Sequence, residues 1–495
     1  MRIDKGRQTD QVPLLEVRDF SLTFEESDNV SPETELDVIH KLDITIYQGE
    51  IVAVVGASGS GKSLLANAVL GVLPENAVTK GILNYKGKEL SRKRQIALRG
   101  NEISLIPQSV NALDPLMKTA KQVQAVIKNK DKQTIQQSIF KKVGLADGTG
   151  DLYPFELSGG MSRRVLAATA MVSGANLVIA DEPTPGLDPK ALNDTITHMK
   201  QMAVDGKGIM FITHDINVAL QVADMIVVMN GGETVEHAQA KDFTGKGENL
   251  KHPYTKALWN ALPQNDFSSP RLKTAFSEGE KAPISPVTAA KDEVSMLEVK
   301  GISYHYPDSP WLFKNMHFTI KPGEIVGVFG DSGSGKSTMG KIIGGYKEPV
   351  EGKIWIDGRC ISSAAVHPVQ VVWQHPEMSI NPRWRMRRIL KEEGNLNVEF
   401  MKAFGIKKEW LSRLPRELSG GELQRFSLAR ALAGDVKYLI ADEITTMLDA
   451  VTQAEIWHVV LKLAKDRNIG VLAISHDQQL LQRVSDRIIN FADIK

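Results

Sequence analysis

The chain has little of what marks a secreted or membrane-spanning protein. It has one cysteine, Cys360, among 495 residues, which excludes an internal disulfide and any cysteine cluster around zinc or iron. No apolar run approaches the roughly 18 residues of a membrane-spanning helix, and segment 1–11 is too polar for a signal peptide. The formal net charge of +1 provides no general attraction for nucleic acid. These absences favour a cytosolic protein of about two to four globular domains, whose membrane role would depend on other subunits.

Two glycine-rich segments have the pattern of a phosphate-binding loop. The first is Gly56-Ala57-Ser58-Gly59-Ser60-Gly61-Lys62-Ser63, and the second is Gly330-Asp331-Ser332-Gly333-Ser334-Gly335-Lys336-Ser337. Each follows a short apolar strand and precedes a predicted helix, which is the context that such a loop requires. The glycines let backbone N–H groups close around a polyphosphate, the lysine reaches the β- and γ-phosphates, and the final serine binds Mg²⁺. The chain is therefore predicted to bind a nucleoside triphosphate twice.

The same order of motifs follows both loops. After Lys62 come Gln108, the segment Leu157-Ser158-Gly159-Gly160-Met161, Asp181-Glu182 and His214. After Lys336 come Gln374, the segment Leu418-Ser419-Gly420-Gly421-Glu422, Asp442-Glu443 and His476. Five elements in one order at nearly constant spacing indicate an internal duplication, because an accidental loop match would not bring the others with it.

Each half has an apolar strand that ends in Asp-Glu, which supplies two carboxylates for different tasks. We expect Asp181 and Asp442 to hold Mg²⁺, directly or through water. Glu182 and Glu443 are expected to be general bases that polarise the attacking water. A strand-end carboxylate pair is otherwise a solvated surface feature. Its position downstream of a phosphate loop in both halves favours catalysis.

Two further polar residues end strands in each half. His214 and His476 precede an aspartate, and their matching positions favour a γ-phosphate contact over a structural role. Gln108 and Gln374 are expected to bind Mg²⁺ or water and to sense the γ-phosphate. Each Ser-Gly-Gly segment adds a hydroxyl and a helix N-terminus, which together form a second anion site. Since each half already has a phosphate loop, each Ser-Gly-Gly segment is expected to contact the nucleotide of the other half.

This order of motifs resembles the ATP-binding cassette family, twice in one chain, over almost the whole sequence apart from the N-terminal tail and a linker. The resemblance implies an α/β fold with two P-loop nucleotide-binding domains. Each domain would have a RecA-like mixed-sheet core, an antiparallel β part and a helical subdomain. It also implies that the two halves pair head to tail around two molecules of ATP, with Mg²⁺ as cofactor.

The resemblance assigns the site residues to two shared sites. The first joins the Ser-Gly-Gly segment from Ser419 to Lys62, Ser63, Gln108, Asp181, Glu182 and His214. The second joins the segment from Ser158 to Lys336, Ser337, Gln374, Asp442, Glu443 and His476. Asp188 and Asp449 match an aspartate that crosses the interface, and Phe24 and Tyr306 match an aromatic residue that stacks on adenine. Both halves keep the base and the histidine, so two hydrolytic sites are expected.

Changes in composition predict the domain boundaries. We predict an N-terminal tail over 1–12, a first nucleotide-binding domain over 13–247 with an extension over 248–262, a linker over 263–295 and a second domain over 296–495. The linker combines several Pro and Ser residues with mixed charge and little periodicity.

The extension contains His252-Pro253-Tyr254-Thr255-Lys256-Ala257-Leu258, which resembles the segment after the cassette in ATPases of oligopeptide, dipeptide and nickel importers. This implies an energy-coupling ATPase for peptides, nickel or related small solutes at the cytoplasmic face of the cell membrane. Its partners would be two integral-membrane permeases, docked on the helical inserts at about 109–157 and 375–418, and an extracytoplasmic solute-binding protein. Met161 to Arg164 lacks the usual Arg-Gln pair and the second half has no His-Pro-Tyr segment, so the solute stays open.

Other readings of a twin cassette remain open. One is the ATPase of an exporter or of a vitamin energy-coupling transporter, against which the His-Pro-Tyr-Thr segment argues. Another is a soluble twin-cassette ATPase that acts on ribosomes or DNA. That class normally has a basic helical arm, whereas segment 263–295 mixes both signs of charge, so no nucleic-acid partner is predicted.

Overall fold

The structure is a computed structural model that describes residues 12–25, 36–57, 59–185, 187, 189–269, 296–331, 333–361, 368–391 and 398–495. Three predicted site residues, Ser58, Asp188 and Ser332, lie outside the described residues, as do most of the predicted tail and linker. The chain divides between Lys256 and Ala257 into unit 1 and unit 2. This division falls inside the predicted extension, and the predicted domain boundaries stay a prediction.

Unit 1 alternates strands with helices after an antiparallel opening. Its strands are β1 (Leu15–Phe24), β2 (Leu36–Ile46), β3 (Ile51–Gly56), β4 (Ala77–Tyr85), β5 (Lys88–Glu89), β6 (Ile103–Ile106), β7 (Leu177–Asp181), β8 (Gly208–Thr213), β9 (Met225–Asn230) and β10 (Glu233–Ala238). Its helices are α1 (Lys62–Leu70), α2 (Arg92–Leu98), α3 (Thr119–Val126), α4 (Lys132–Lys142), α5 (Gly159–Val172), α6 (Pro189–Val204), α7 (Ile216–Val222) and α8 (Pro253–Asn260), the last of which spans the division.

These strands form two sheets in unit 1. The antiparallel sheet has the order β2-β1-β4-β5, and the larger sheet has the order β10-β9-β3-β8-β7-β6. In the larger sheet only β9 and β10 pair antiparallel. The central strands β3 and β8 are buried at every position, as expected for parallel strands covered on both faces. The predicted mixed-sheet core and antiparallel part are therefore confirmed in unit 1.

The core of unit 1 lies on both faces of the larger sheet. On one face Val54 of β3 packs with Leu65 of α1 and with the antiparallel sheet. On the other face Phe140 of α4, Val165 of α5 and Met199 of α6 belong to a second apolar cluster. This layering fixes the carboxyl ends of β3, β7 and β8 along one edge, where ligands bind in open parallel sheets.

Unit 2 has the same plan. Its strands are β11 (Leu297–His305), β12 (Trp311–Ile320), β13 (Ile325–Phe329), β14 (Glu351–Ile356), β15 (Arg359–Cys360), β16 (Val369–Val372), β17 (Tyr438–Asp442), β18 (Gly470–Ser475) and β19 (Arg487–Asn490). Its other helices are α9 (Lys336–Ile343), α10 (Met386–Lys391), α11 (Val398–Ala403), α12 (Gly420–Ala431), α13 (Ala450–Asp466), α14 (Gln478–Val484) and α15 (Phe491–Ile494). The sheet orders are β12-β11-β14-β15 and β16-β17-β18-β13-β19, and the described strands of the second sheet are all parallel.

Helices in the described part of the chain are too short or too polar to cross a membrane. The helical inserts predicted after Gln108 and Gln374 are present as α3 with α4 in unit 1 and as α10 with α11 in unit 2. The spacing of apolar residues from Leu116 to Val143 predicts helix. The structure interrupts this helix between Val126 and Lys132, where the Asn129 side chain accepts a hydrogen bond from Asp131 N–H. This local hydrogen bond competes with helix continuation.

Candidate active sites

The two phosphate loops are built in the same way. Lys62 Nζ donates to the backbone oxygens of Gly56 and Ala57 at 2.9 and 2.7 Å. Lys336 Nζ donates to the backbone oxygens of Gly330 and Asp331 at 2.6 and 2.7 Å. Each ammonium group therefore lies over the hollow of its loop, where phosphate oxygens are the natural partners for it.

Glycine is required where each loop enters its helix. Gly61, before α1, has φ of 92°, and a Cβ there would lie 2.8 Å from Ile39 Cγ1. Gly335, before α9, has φ of 113°, and a Cβ there would lie 2.8 Å from Leu312 Cγ. The left-handed backbone and the lack of space both exclude a side chain. In the same loops Gly59 and Gly333 also have positive φ, 81° and 77°.

An aspartate at the end of a central strand lies beside the serine of each loop. Ser63 Oγ donates to Asp181 Oδ1 at 3.1 Å, and Ser337 Oγ donates to Asp442 Oδ1 at the same distance. Burial raises the pKa of Asp442 to about 6 against the hydrogen bond from Ser337, and burial likewise raises the pKa of Asp181. A buried carboxylate beside a hydroxyl oxygen fits the oxygen ligands that Mg²⁺ prefers. A bound cation would offset the free-energy cost of keeping such a buried carboxylate ionised.

The raised pKa predicts that Asp442→Asn stabilises the protein in the absence of Mg²⁺ and nucleotide. Folding raises the pKa of Asp442 from 3.8 to about 6. Above pH 6 this carboxyl is ionised in the folded state, so the full cost of burying its charge lowers the free energy of unfolding. Above that pH the variant should gain on the order of 1–3 kcal/mol in free energy of unfolding, measured with urea. The gain should disappear as the pH falls from about 6 towards 3.8.

The exposed turn residue Asp308 supplies the matched control, since Asp308→Asn removes a charge without changing a buried group. We expect no comparable gain for this control. An Asp442→Asn protein that is no more stable than the wild type above pH 6 would contradict the proposed destabilisation by the buried Asp442 carboxylate.

The glutamate that follows each aspartate adopts an unusual backbone conformation. Glu182 has φ of 46° and Glu443 has φ of 50°, both in the left-handed region. Such strain in a residue with a Cβ costs about 1–3 kcal/mol and persists mainly where function requires it. In both units the backbone N–H of this glutamate donates to the neighbouring strand, at Ile212 O and Ile474 O. The strain therefore recurs at the two positions predicted to be catalytic.

Each of these glutamates is paired with the predicted histidine. His214 Nδ1 lies 3.2 Å from Glu182 Oε1, and His476 Nδ1 lies 3.2 Å from Glu443 Oε1. Burial opposes a charge on His214, but the nearby carboxylates of Glu182 and Asp215 together outweigh it, and the pKa of His214 is raised. The hydrogen bond to Glu443 raises the pKa of His476. Burial acts to raise the glutamate pKa values, but the neighbouring histidine and lysine of each unit together leave them lowered, which keeps both glutamates ionised.

The predicted glutamines and aromatic residues differ between the units. Gln108 Nε2 donates to Glu182 Oε2 at 3.3 Å, so the structure brings this residue to the site of unit 1. Gln374 follows β16 without a described hydrogen bond to its glutamate. The Tyr306 ring is 40% exposed, and its hydroxyl lies 3.0 Å from Thr338 Oγ1 on α9. Phe24 is partly buried against the core of unit 1. Adenine stacking by these aromatic residues stays a prediction.

Each Ser-Gly-Gly segment begins a helix, as its sequence predicts. Ser158 Oγ accepts from Met161 N, and Ser419 Oγ accepts from Glu422 N, both at 3.3 Å. In unit 2 Glu422 also accepts from Ser419 N at 2.8 Å, which completes a capping box that Met161 does not provide in unit 1. A Cβ added at Gly159, Gly160 or Gly420 would meet no atom within 4 Å, whereas one at Gly421 would approach Thr452. The exposed first glycines are free to meet a ligand.

Two nearby residues have roles that sequence reasoning did not assign. Asp449, predicted to cross the interface, is buried and accepts from Thr452 N as the N-cap of α13. Arg163 Nη1 donates to Glu182 O at 3.4 Å, and burial lowers the pKa of its guanidinium group. At the corresponding position Gln424 donates to Trp373 O. Arg163 lies in segment 161–164, which lacks the usual Arg-Gln pair. This departure is the sequence feature that indicates a difference between the two units.

A phosphate loop, a strand-end carboxylate pair and a histidine in each of two units define a P-loop ATPase with a duplicated site. A family model described as "ABC transporter" matches residues 39–185 and 313–446. The chain belongs to the ABC transporter family, whose cassettes bind ATP, and it is an ATPase.

Three relatives match most of the chain. It is 30% identical to an uncharacterized ABC transporter ATP-binding protein, YejF, of Escherichia coli K12, over 96% of this chain and 93% of the relative. It is 30% identical to the glutathione import ATP-binding protein GsiA of Salmonella typhimurium, over 92% of this chain and 81% of the relative. It is also 30% identical to the peptidoglycan transport ATP-binding protein YejF of Agrobacterium fabrum, over 98% of this chain and 92% of the relative.

Two solved structures that cover most of this chain have a similar fold. The archaeal ribosome recycling factor aABCE1, solved with a ribosomal stalk protein, has a TM-score of 0.61 at 22% identity and covers 91% of this chain and 84% of its own. A structure of RNase-L Inhibitor has a TM-score of 0.61 at 23% identity with the same coverage. At this identity the likeness shows the fold alone.

Proposed function

We propose that the chain is the ATP-hydrolysing component of an importer for peptides or related small solutes, with nickel as a further candidate cargo. The observation that carries this proposal is the similarity over most of both chains to relatives named for glutathione import and peptidoglycan transport. The protein would act at the cytoplasmic face of the membrane with two permeases and a solute-binding protein. The His-Pro-Tyr segment, which begins α8, supports the same assignment.

The proposed catalysis uses one set of residues twice. Ser63 with Asp181, and Ser337 with Asp442, would hold Mg²⁺, which would neutralise charge on the β- and γ-phosphates. Glu182 and Glu443 would polarise the water that attacks the γ-phosphate. His214 and His476 would contact the γ-phosphate and orient their glutamates through the 3.2 Å contacts. In the first site Arg163 would hold the backbone of Glu182 in place through its hydrogen bond to Glu182 O.

Each site would be completed by the Ser-Gly-Gly segment of the other unit. The N-terminus of α12 would contact the ATP held by Lys62, and that of α5 would contact the ATP held by Lys336. A helix N-terminus with an exposed glycine attracts phosphate through its free N–H groups and its dipole. ATP would then favour approach of the two units and hydrolysis their separation, which is the motion that an importer needs.

The surfaces proposed to dock the permeases differ in chemistry between the inserts. After Asp114-Pro115 the chain exposes Leu116, which is 87% exposed, and Met117. After Asn381-Pro382 it has Arg383 and Trp384, and the Arg388 guanidinium lies 3.8 Å from the Trp384 ring centroid. These residues line an open basic pocket of about 710 Å³. An apolar and a basic surface fit two different permease subunits.

The proposal predicts that uptake depends on hydrolysis by this chain. In cells deleted for its gene, wild-type protein should restore uptake of radiolabelled short peptides or glutathione. Protein with Glu182→Gln and Glu443→Gln, expressed to the same level, should not. Parallel assays with Ni²⁺ test nickel as cargo. Equal uptake of every solute with and without the chain would overturn the importer proposal, and binding to isolated ribosomes would instead favour the ribosome alternative.

A further inference from the structure

A buried ion pair joins α12, which begins in the Ser-Gly-Gly segment of unit 2, to α13, which Asp449 caps. Arg425, on α12, places Nη2 2.6 Å from Glu455 Oε2 on α13, and both side chains are less than 10% exposed. Arg425 Nη1 also donates to Phe404 O at 3.0 Å. Removing one partner of a buried ion pair leaves an uncompensated charge, so this pair is expected to hold α12 against α13.

The segment that follows α8 completes this pair. Ser269 is 1% exposed, and its Oγ donates to Glu455 Oε1 at 2.8 Å, so each carboxylate oxygen has one strong donor. Phe267, 2% exposed, lies with its ring centroid 5.4 Å from that of His458, also on α13. Arg483, on α14, donates to Asp266 O at 2.7 Å. Residues 266–269 are thus fastened to α13 and α14 at three points.

In the part of unit 1 that the structure describes, this arrangement is not repeated at the corresponding position. Arg164 lies six residues after Ser158 as Arg425 does after Ser419, and its Nη1 donates to Gly144 O at 3.0 Å. Asp194 takes the place of Glu455, but within the described ranges no hydrogen bond or ion pair joins it to Arg164. The groove between α5 and α6 instead holds a small cavity of about 20 Å³ lined by Arg163, Arg164, Asp194 and His198, among others.

We propose that residues 266–269 are a clasp that positions α12, and that Ser269 is its key positioning residue. The Ser269 hydroxyl orients the Glu455 carboxylate, which holds Arg425 and with it the helix whose first turn presents Ser419 and Gly420. The inference rests on the proposed function, in which that turn completes the ATP site of Lys62. The segment that leaves the first cassette thereby tunes hydrolysis by the ATP site of that cassette, and no equivalent contact reaches α5 among the residues that the structure describes.

The clasp itself is tested without nucleotide on the full chain. Ser269→Ala should increase amide hydrogen exchange in the first two turns of α12, at 420–427, and leave α5, at 159–172, unchanged. Ser268→Ala is the matched control, because Ser268 is the neighbouring serine and its side chain has no described hydrogen bond. Ser269→Thr, which keeps a hydroxyl, should restore part of the protection. Unchanged exchange in α12 of Ser269→Ala would overturn the clasp, whether or not the two ATP sites are shared.

The coupling is tested by single-turnover hydrolysis of radiolabelled ATP in two backgrounds. With Glu443→Gln, where the Lys62 site is the hydrolytic one, Ser269→Ala should lower the rate by up to about tenfold, as expected for losing a hydrogen bond to a charged group. With Glu182→Gln the rate should change less than about twofold, and Ser268→Ala should change neither. Equal losses in both backgrounds would overturn the coupling. If Gly420→Asp still impaired hydrolysis only at the Lys62 site in the same assay, the shared sites would stand and only the clasp would be wrong.

Discussion

Replacing both strand-end glutamates, Glu182→Gln with Glu443→Gln, should leave ATP binding intact while steady-state hydrolysis falls by on the order of 10²- to 10³-fold. Glutamine keeps the volume of the side chain but neither carries the negative charge nor accepts a proton from the attacking water. ATP would then persist in both sites and hold the units together. Binding is measured with a fluorescent ATP analogue, and hydrolysis by phosphate release.

The control for this pair is Glu233→Gln, a carboxylate at the exposed start of β10. It should hydrolyse ATP at the wild-type rate. Rapid turnover by the double variant would show that neither glutamate is the base. Loss of ATP binding together with hydrolysis would point to damage to the phosphate loops.

Gly420→Asp should nearly abolish hydrolysis at the Lys62 site, although the two residues belong to different units. A Cβ at Gly420 meets no atom within 4 Å and the backbone there has no positive φ, so the variant should fold normally. The new carboxylate would face the γ-phosphate and repel it, at a helix N-terminus that otherwise favours anions. The loss is measured by single-turnover hydrolysis in the Glu443→Gln background, where the Lys62 site is the hydrolytic one.

Gly159→Asp is the matched variant in unit 1, where a Cβ likewise meets no atom within 4 Å. It should impair the Lys336 site in the Glu182→Gln background and spare the Lys62 site. Gly420→Ala, which adds bulk without charge, should have a smaller effect than Gly420→Asp. If Gly420→Asp instead impaired only the Lys336 site, each unit would use its own Ser-Gly-Gly segment and the shared arrangement would be wrong.

Much of the fold follows from the sequence because the central strands are apolar and end in distinctive residues. The apolar runs 325–329 and 208–213 predict strands, and Ser158 predicts a helix that runs through Val172; all three match the structure at their ends. The alternation of apolar and polar residues predicts a strand from Leu42 to Tyr47. In the structure β2 begins six residues earlier, at Leu36, and a left-handed Lys41 interrupts the alternation. An irregular strand of this kind cannot be recognised by period alone.

The residues of the candidate site could be picked out from the sequence, whereas their geometry could not. Spacing identified Asp181, Glu182 and His214, but the left-handed backbone at Glu182 depends on the surrounding fold. Tertiary contacts likewise bring Arg163 to Glu182 O. Sequence places Asp449 near an interface by resemblance only, and its cap on α13 became visible once the helix was located.

The start of the predicted linker is the part that sequence described least well. Pro263 to Ser269 has no periodicity, yet Phe267 and Ser269 are buried in unit 2. Their partners, His458 and Glu455, lie about 190 residues further along the chain, so no local sequence pattern could indicate these contacts. The contacts of the clasp could therefore be found only in the folded structure.

The central claim is that each ATP site is made by both units, and photocleavage with trapped orthovanadate tests it most directly. Vanadate takes the place of the γ-phosphate beside ADP and cuts the adjacent backbone on irradiation. In a Lys336→Ala protein, where the Lys62 site is the one that traps it, we predict cuts in the loop 56–63 and at Ser419. Cuts confined to 56–63, or a second cut at Ser158 instead of Ser419, would contradict the account.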